Sequence, residues 1–246
     1  MRNIWIIAKR EYDHYFISPI AYMVAFAILF VLGIIFALVI YSSSQNAFYG
    51  AVPDVTPITG SFAFLLVFTV PALTMRLLAD EMRMGTMELL LTAPVRDYEL
   101  VVGKWLGGML YMLTLIAITL VYPIIMNSLV EPGMDWGLVF TAYLGLILVS
   151  GAFLALGVGI SAVFTNQVAA FFLTIATFFT LWWMIGFLGD MAPLGNDVFT
   201  YLNMQSHFYT SLSVGTINLS DLVYFFSLIA LGLFTGTTAV EIRRWR

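Results

Sequence analysis

The sequence predicts an all-α integral membrane protein. It has six transmembrane helices, an N-terminal interfacial helix and both termini on one side. Three observations lead there. Of 246 residues, 61% are hydrophobic and 10% charged, whereas soluble domains are roughly 45–50% apolar and about 25% charged. The few charges leave gaps long enough to cross a bilayer core of about 30 Å, which takes roughly 20 helical residues. Every Lys and Arg, ten in all, falls on one side of the resulting topology. A water-soluble enzyme and a disordered chain are excluded. The net charge of −4 leaves no basic face for a nucleic acid. With no cysteine, disulfides and thiolate chemistry are excluded.

The elements follow in order. Residues 3–16 are charged and amphipathic. Ile4, Trp5, Ala8, Tyr12, Tyr15 and Phe16 share one face, while Arg2, Lys9, Arg10, Asp13 and His14 take the other. Ile6 and Ile7 break the pattern. Such a segment lies in the headgroup layer, as a plain anchor or as a helix that also touches a partner. Ser18-Pro19 turns the chain into the first span, 21–41. The other spans are 60–78, 105–126, 137–163, 168–188 and 222–240. The long uncharged stretch from Asp135 to Asp190 breaks at Thr165-Asn166-Gln167. Helices are expected because lipid offers backbone groups no partner. Pro71 and Pro123 can kink their spans. No cleavable leader and no linker dividing soluble domains is read, so residues 1–246 are expected to form one transmembrane domain.

With six spans the side of the termini carries ten basic and eight acidic residues, and the other side carries six acidic residues and no basic ones. The positive-inside rule makes the basic side cytoplasmic. Of the outer connections, 42–59 is polar and 127–135 short. Segment 189–221 holds Phe199, Tyr201, Phe208 and Tyr209, too apolar for a solvated loop, and is expected to be amphipathic or re-entrant. Asn218 to Asp221 reads as the cap of the last span.

The inner loop 79–104 is the most informative. Gly85 permits a sharp turn. Thr86 can cap a short helix with Glu88 in its first turn, and Pro94 ends it. Asp97 can cap the next helix, with Glu99 in its first turn. The 86–93 helix would show Met87, Leu89 and Leu90 to the cytoplasm, rimmed by charge, as docking surfaces do. A connector lying on the membrane surface is the plainer alternative.

Here the chain resembles the membrane subunit of exporter-type (type 2) ABC transporters, and in particular the permease associated with bacterial gliding motility. The first stretch that carries the resemblance is Trp5 with Ala8-Lys9-Arg10-Glu11, similar to the family's connecting helix. The second, Asp80-Glu81 through Gly85-Thr86-Met87-Glu88-Leu89-Leu90 to Ala93-Pro94, resembles its coupling helix. The third is Met204-Gln205-Ser206-His207-Phe208 with Gly215 and Asp221, followed by the last span and Arg243-Arg244-Trp245, similar to its outer amphipathic segment and terminal helix. The resemblance implies a bacterial inner-membrane location and a cytoplasmic ABC ATPase partner that binds ATP and Mg. It also implies a second permease chain, a homodimer being expected, and leaves room for an accessory membrane protein. It gives Leu89 and Leu90 to an apolar cleft of the ATPase, and Glu81 and Glu88 to its basic residues. Gly85 and Pro94 would fix the segment's shape.

The chain has no phosphate-loop motif, so no ATPase site or cofactor of its own is expected. An ion-coupled transporter is the first rival, but no span carries a central carboxylate. The second is a membrane scaffold that drives motility machinery without export. An intramembrane enzyme is the third. The two histidines, His14 and His207, lie on opposite sides without a metal-ligand partner, and His207 is read as interfacial. Glycines 103, 107 and 108, and 145, 151, 157 and 159, suit close packing within the chain as well as a dimer seam. Trp182 and Trp183 are read as an interfacial belt.

Overall fold

The structure is a computed structural model. It describes residues 2–46, 52–85, 95–131, 133–191 and 196–244. Among these residues there are helices and no strand. The expected six spans are present in the expected order, each long and apolar enough to cross a membrane.

α1 (Arg2–Tyr15) precedes α2 (Pro19–Gln45), which starts on Pro19 because a proline at the first helical position gives up no hydrogen bond. α3 (Thr56–Thr74) contains Pro71 and stops three residues later. After a turn, α4 (Ala79–Arg83) continues the span. The turn leaves amides exposed, and Ser161 from another helix satisfies two of them: its Oγ accepts from Leu78 N and Ala79 N, both at 3.2 Å. α5 (Asp97–Thr119) and α6 (Val121–Leu129) form the third span, broken at Leu120. Pro123 cannot donate to the Thr119 carbonyl, and the Tyr143 hydroxyl takes that acceptor at 2.9 Å.

α7 (Trp136–Val163) is capped by Asp135, whose carboxylate accepts from Gly137 N and Leu138 N. α8 (Gln167–Phe179) is capped likewise by Asn166, at the break the sequence predicts. α8 passes through a π-helical turn (Thr180–Met184) into α9 (Ile185–Met191). The outer segment holds short helices, α10 (Asn196–Leu202) and α11 (Met204–Tyr209), then a single 3-10 turn (Leu212–Val214). α12 (Leu219–Arg244) closes the chain.

α7 is the axis of the bundle, packed by α12, α3, α5 and α8. Of its most apolar stretch 78% is buried, against 17% for α2, which stands at the periphery. α7 can be central because its small residues admit neighbours. A Cβ on Gly159 would stand 2.6 Å from the Gly232 carbonyl of α12, and one on Gly157 would collide with Thr74 of α3. The α7 glycines, and Gly103, Gly107 and Gly108 of α5, therefore seat side chains and backbone of this chain itself. The ends are fixed too: Arg243 donates to the Val163 carbonyl at 2.8 Å, and Arg244 pairs with Asp97 at 3.3 Å. The ends of α12 and α7 and the start of α5 thus gather at one basic end.

Gly157→Val is expected to destabilise the bundle by about 1–3 kcal/mol through this collision. Thr74→Ala should recover part of the loss. Gly33→Ala, whose nearest neighbour would be 3.8 Å away, should leave the melting temperature in detergent unchanged.

Candidate functional site

Lys104 carries the polar organisation of the basic end. It lies in the second turn of α5 and is 1% exposed. A desolvated ammonium is costly unless fully paired. Its Nζ donates to Glu11 Oε1 at 3.0 Å and to Glu81 Oε1 at 2.9 Å. Glu11 belongs to α1 and Glu81 to α4, so one side chain ties three elements together. Arg10 supplies the second positive charge, with Nη2 2.9 Å from Glu11 Oε1 and 3.6 Å from Glu81 Oε1. Two cations and two carboxylates balance. Burial pushes the Glu11 carboxyl up, but Lys104 and Arg10 outweigh it and hold the group below its ordinary range.

α1 reaches Lys104 because α5 is notched there. A Cβ on Gly103 would stand 2.8 Å from Ile7, and one on Gly107 would stand 2.6 Å from the Glu11 Cβ. Along the same interface Asn3 donates to Glu99 Oε2 at 3.1 Å. Tyr12 and Thr114 share a hydrogen bond of 3.1 Å. The rings of Tyr15 and Tyr111 stack at 4.9 Å, and Tyr111 donates to the Ala21 carbonyl of α2 at 2.6 Å. α1 is thus clasped to α5. The packed face holds Ala8, Tyr12 and Tyr15 of the expected one and departs from it at two places. Ile7 and Glu11 are on it, and Trp5 is 56% exposed, because the glycine notch, not the apolar stripe, decides which side docks. Lys9 is exposed.

Of the loop residues, Glu81 faces Lys104 and Arg10 within the chain. Gly85 follows with φ +71°, the left-handed conformation that favours glycine. Thr86, Glu88, Leu89, Leu90 and Pro94, and the 86–93 helix, lie outside the described residues. Past them, Arg96, not Asp97, occupies the cap position of α5. Glu99 accepts from the Arg96 amide at 3.1 Å, and Asp97 is the first helical residue.

A second polar cluster occupies the opposite end. His207, read as interfacial, is instead 8% exposed. Its Nε2 lies 2.7 Å from the Tyr201 carbonyl. A carbonyl only accepts, so Nε2 carries a proton. Its Nδ1 is 2.7 Å from Asp221 Oδ1, and the Ser211 hydroxyl donates to Asp221 Oδ2 at 2.6 Å. This cluster pins the outer segment to the start of α12. Gly215, at φ +94°, turns the chain between them. Beside it Phe208 is buried against Gly145. Trp182, expected in a belt, is fully buried among Phe153, Phe208 and Tyr209. Trp183 is half-buried and packs on Phe64 and Phe179. A belt and a core take the same residue, so composition could not separate the two. No group of three or more metal-ligating residues occurs among the described residues.

Six apolar spans, one of them central, with the ion clusters of the described residues at the two ends, define a multi-pass membrane protein. The family model described as ABC-2 family transporter protein matches residues 5–235. The chain belongs to this family and is a membrane component of an ABC transporter. Membership implies association with an ABC ATPase. No curated protein matches the chain.

Lys104→Met should lower stability by about 3–5 kcal/mol, because it leaves two carboxylates buried with one cation. The triple change Lys104→Met, Glu11→Leu, Glu81→Leu should recover most of that loss in a detergent melt. The low-lying Glu11 carboxyl stabilises the fold above the ordinary carboxylate range, and this contribution fades as pH falls through its depressed folded value. The melting temperature should therefore decline below about pH 4, and Glu11→Gln should make that decline shallower.

Proposed function

We propose that the chain is the transmembrane subunit of an ATP-driven exporter, working as a dimer and driven by a separate cytoplasmic ATPase through the 86–93 helix. Family membership supports the transporter reading. The observation that carries the coupling reading is the Lys104 cluster. The helices flanking residues 86–94 are α4 and α5, and Lys104 joins them to each other and to α1. A push on the segment between them would therefore move α1, α4 and α5 as one body. With that body would move the second and third spans, and access at the dimer interface would change.

In this reading the membrane is a bacterial inner membrane and the basic end faces the cytoplasm, an orientation that the charge asymmetry supports. Leu89 and Leu90 fill the ATPase cleft and Glu88 pairs with its basic residues. Glu81 acts from behind, as the link to Lys104. The resemblance to gliding-motility permeases supports a machinery-driving scaffold as the second reading, one that needs the same ATPase but moves no substrate.

Purification in mild detergent from the native host should bring down a phosphate-loop ATPase at about one copy per chain, as a one-to-one helix-in-cleft contact requires. Glu88→Arg combined with Leu89→Asp should abolish that recovery while the chain still inserts. A stable chain recovered without any ATPase would overturn the proposal.

A further inference from the structure

A cavity of about 710 Å³ opens at the basic end, between α1, the start of α2, the end of α3, and α4. That volume lies in the range of small-molecule sites. One half of its lining is apolar, with Ile20 and Ala21 on one wall and Ala72, Leu73 and Leu77 on the other. The other half is charged and includes Arg10, Asp13, His14 and Arg76. Ile17 at the mouth is 76% exposed. The apolar wall runs on into the exposed Tyr22 and Met23 of α2, the surface that lipid covers in a membrane.

The charged half is not exhausted by internal pairing. Glu11 and Glu81 are committed to Lys104 and Arg10. Arg76 meets Asp80 through Nε alone, at 3.4 Å, and its terminal nitrogens make no hydrogen bond among the described residues. Arg10 uses one terminal nitrogen, and no side-chain hydrogen bond of His14 is found among the described residues. The unused donors form a fork suited to a phosphate. On the same rim, Asp13 has no ion pair among the described residues, whereas Asp80 is paired through Oδ2 with Arg76 and through Oδ1 with Arg83, both at 3.4 Å. Tyr15, also in the lining, buries a hydroxyl with no partner among these residues. Four carboxylates against Arg10, Arg76 and Lys104 leave no net positive charge to attract an anion. The chemistry that fits is phosphate and ammonium in one headgroup, with an apolar tail.

We propose that this cavity binds one zwitterionic phospholipid of the adjoining leaflet. Arg10 and Arg76 hold the phosphate, the carboxylate of Asp13 takes the ammonium, and the acyl chains leave along the apolar wall toward α2. The inference does not rest on the coupling reading, since the lining lies wholly within this chain. Its position between α1 and α4, against Lys104, makes the lipid a wedge beside the ion cluster.

Native mass spectrometry of the full-length chain in detergent, stripped of lipid, provides the test. The chain is offered phosphatidylethanolamine, phosphatidylglycerol or inorganic phosphate in turn. One phosphatidylethanolamine per chain is expected, with weaker uptake of phosphatidylglycerol and none of phosphate. Arg76→Gln should cut occupancy about tenfold, the effect of losing one charge-assisted contact. Ala72→Phe should fill the apolar half and cut it comparably, at an unchanged melting temperature. Equal retention by both variants would mark the lipid as nonspecific and overturn the proposal. So would a preference for phosphatidylglycerol, or binding of phosphate alone.

Discussion

The fold at the basic end depends on satisfying one buried ammonium. Lys104 has lost its water, and the carboxylates that replace it come from α1 and α4, not from its own helix. Everything near it serves that requirement. Gly103 and Gly107 flank it on α5 and let the α1 backbone close to van der Waals distance. Arg10 neutralises the excess carboxylate. The stacked Tyr15 and Tyr111 carry the clasp on to α2. A buried ion pair adds little net stability over an apolar replacement. Its effect here is to fix how three elements are arranged, which apolar contact in a membrane, where lipid is as good a partner as protein, specifies poorly.

Much of this architecture is legible in the sequence because the membrane makes charge placement costly. The gaps between charged residues give the spans. Asn166 caps α8 where the uncharged stretch has to break, and Gly85 and Gly215 take positive φ where turns are needed. These are local signals. Contacts between distant positions leave no local mark. Lys104 meets Glu11 and Glu81 across 93 and 23 positions. His207 meets Asp221 across 14, through a segment with no regular period. Pro123 announces a free carbonyl at Thr119, but nothing in the sequence names Tyr143 as its donor.

The glycines show the same boundary. Their spacing says that something packs closely and not what does. The structure assigns those positions on α5 and α7 to α1, α3, α12 and the outer segment of the same chain. The apolar surface left over includes α2, α8 and α12, with Phe26, Phe30, Phe172 and Phe234 outward. Lipid, or a second copy of the chain, must meet the protein there.

The two ends then differ in kind. At the end opposite the termini, His207, Ser211 and Asp221 join a short helical segment to a span that follows it directly, which fixes a cap on the bundle. At the basic end, Lys104 joins α4 and α5, the elements that precede and follow residues 86–94. In the proposed cycle a force applied between these two helices cannot be absorbed by separating α4 from α5 without exposing a buried charge. It passes instead into whole helices. In the proposed cycle this converts a local push into a tilt of the second and third spans, with α1 moving alongside. Along that path lies the cavity beside Arg76, so an occupant there would bear on the same helices that the partner ATPase would move.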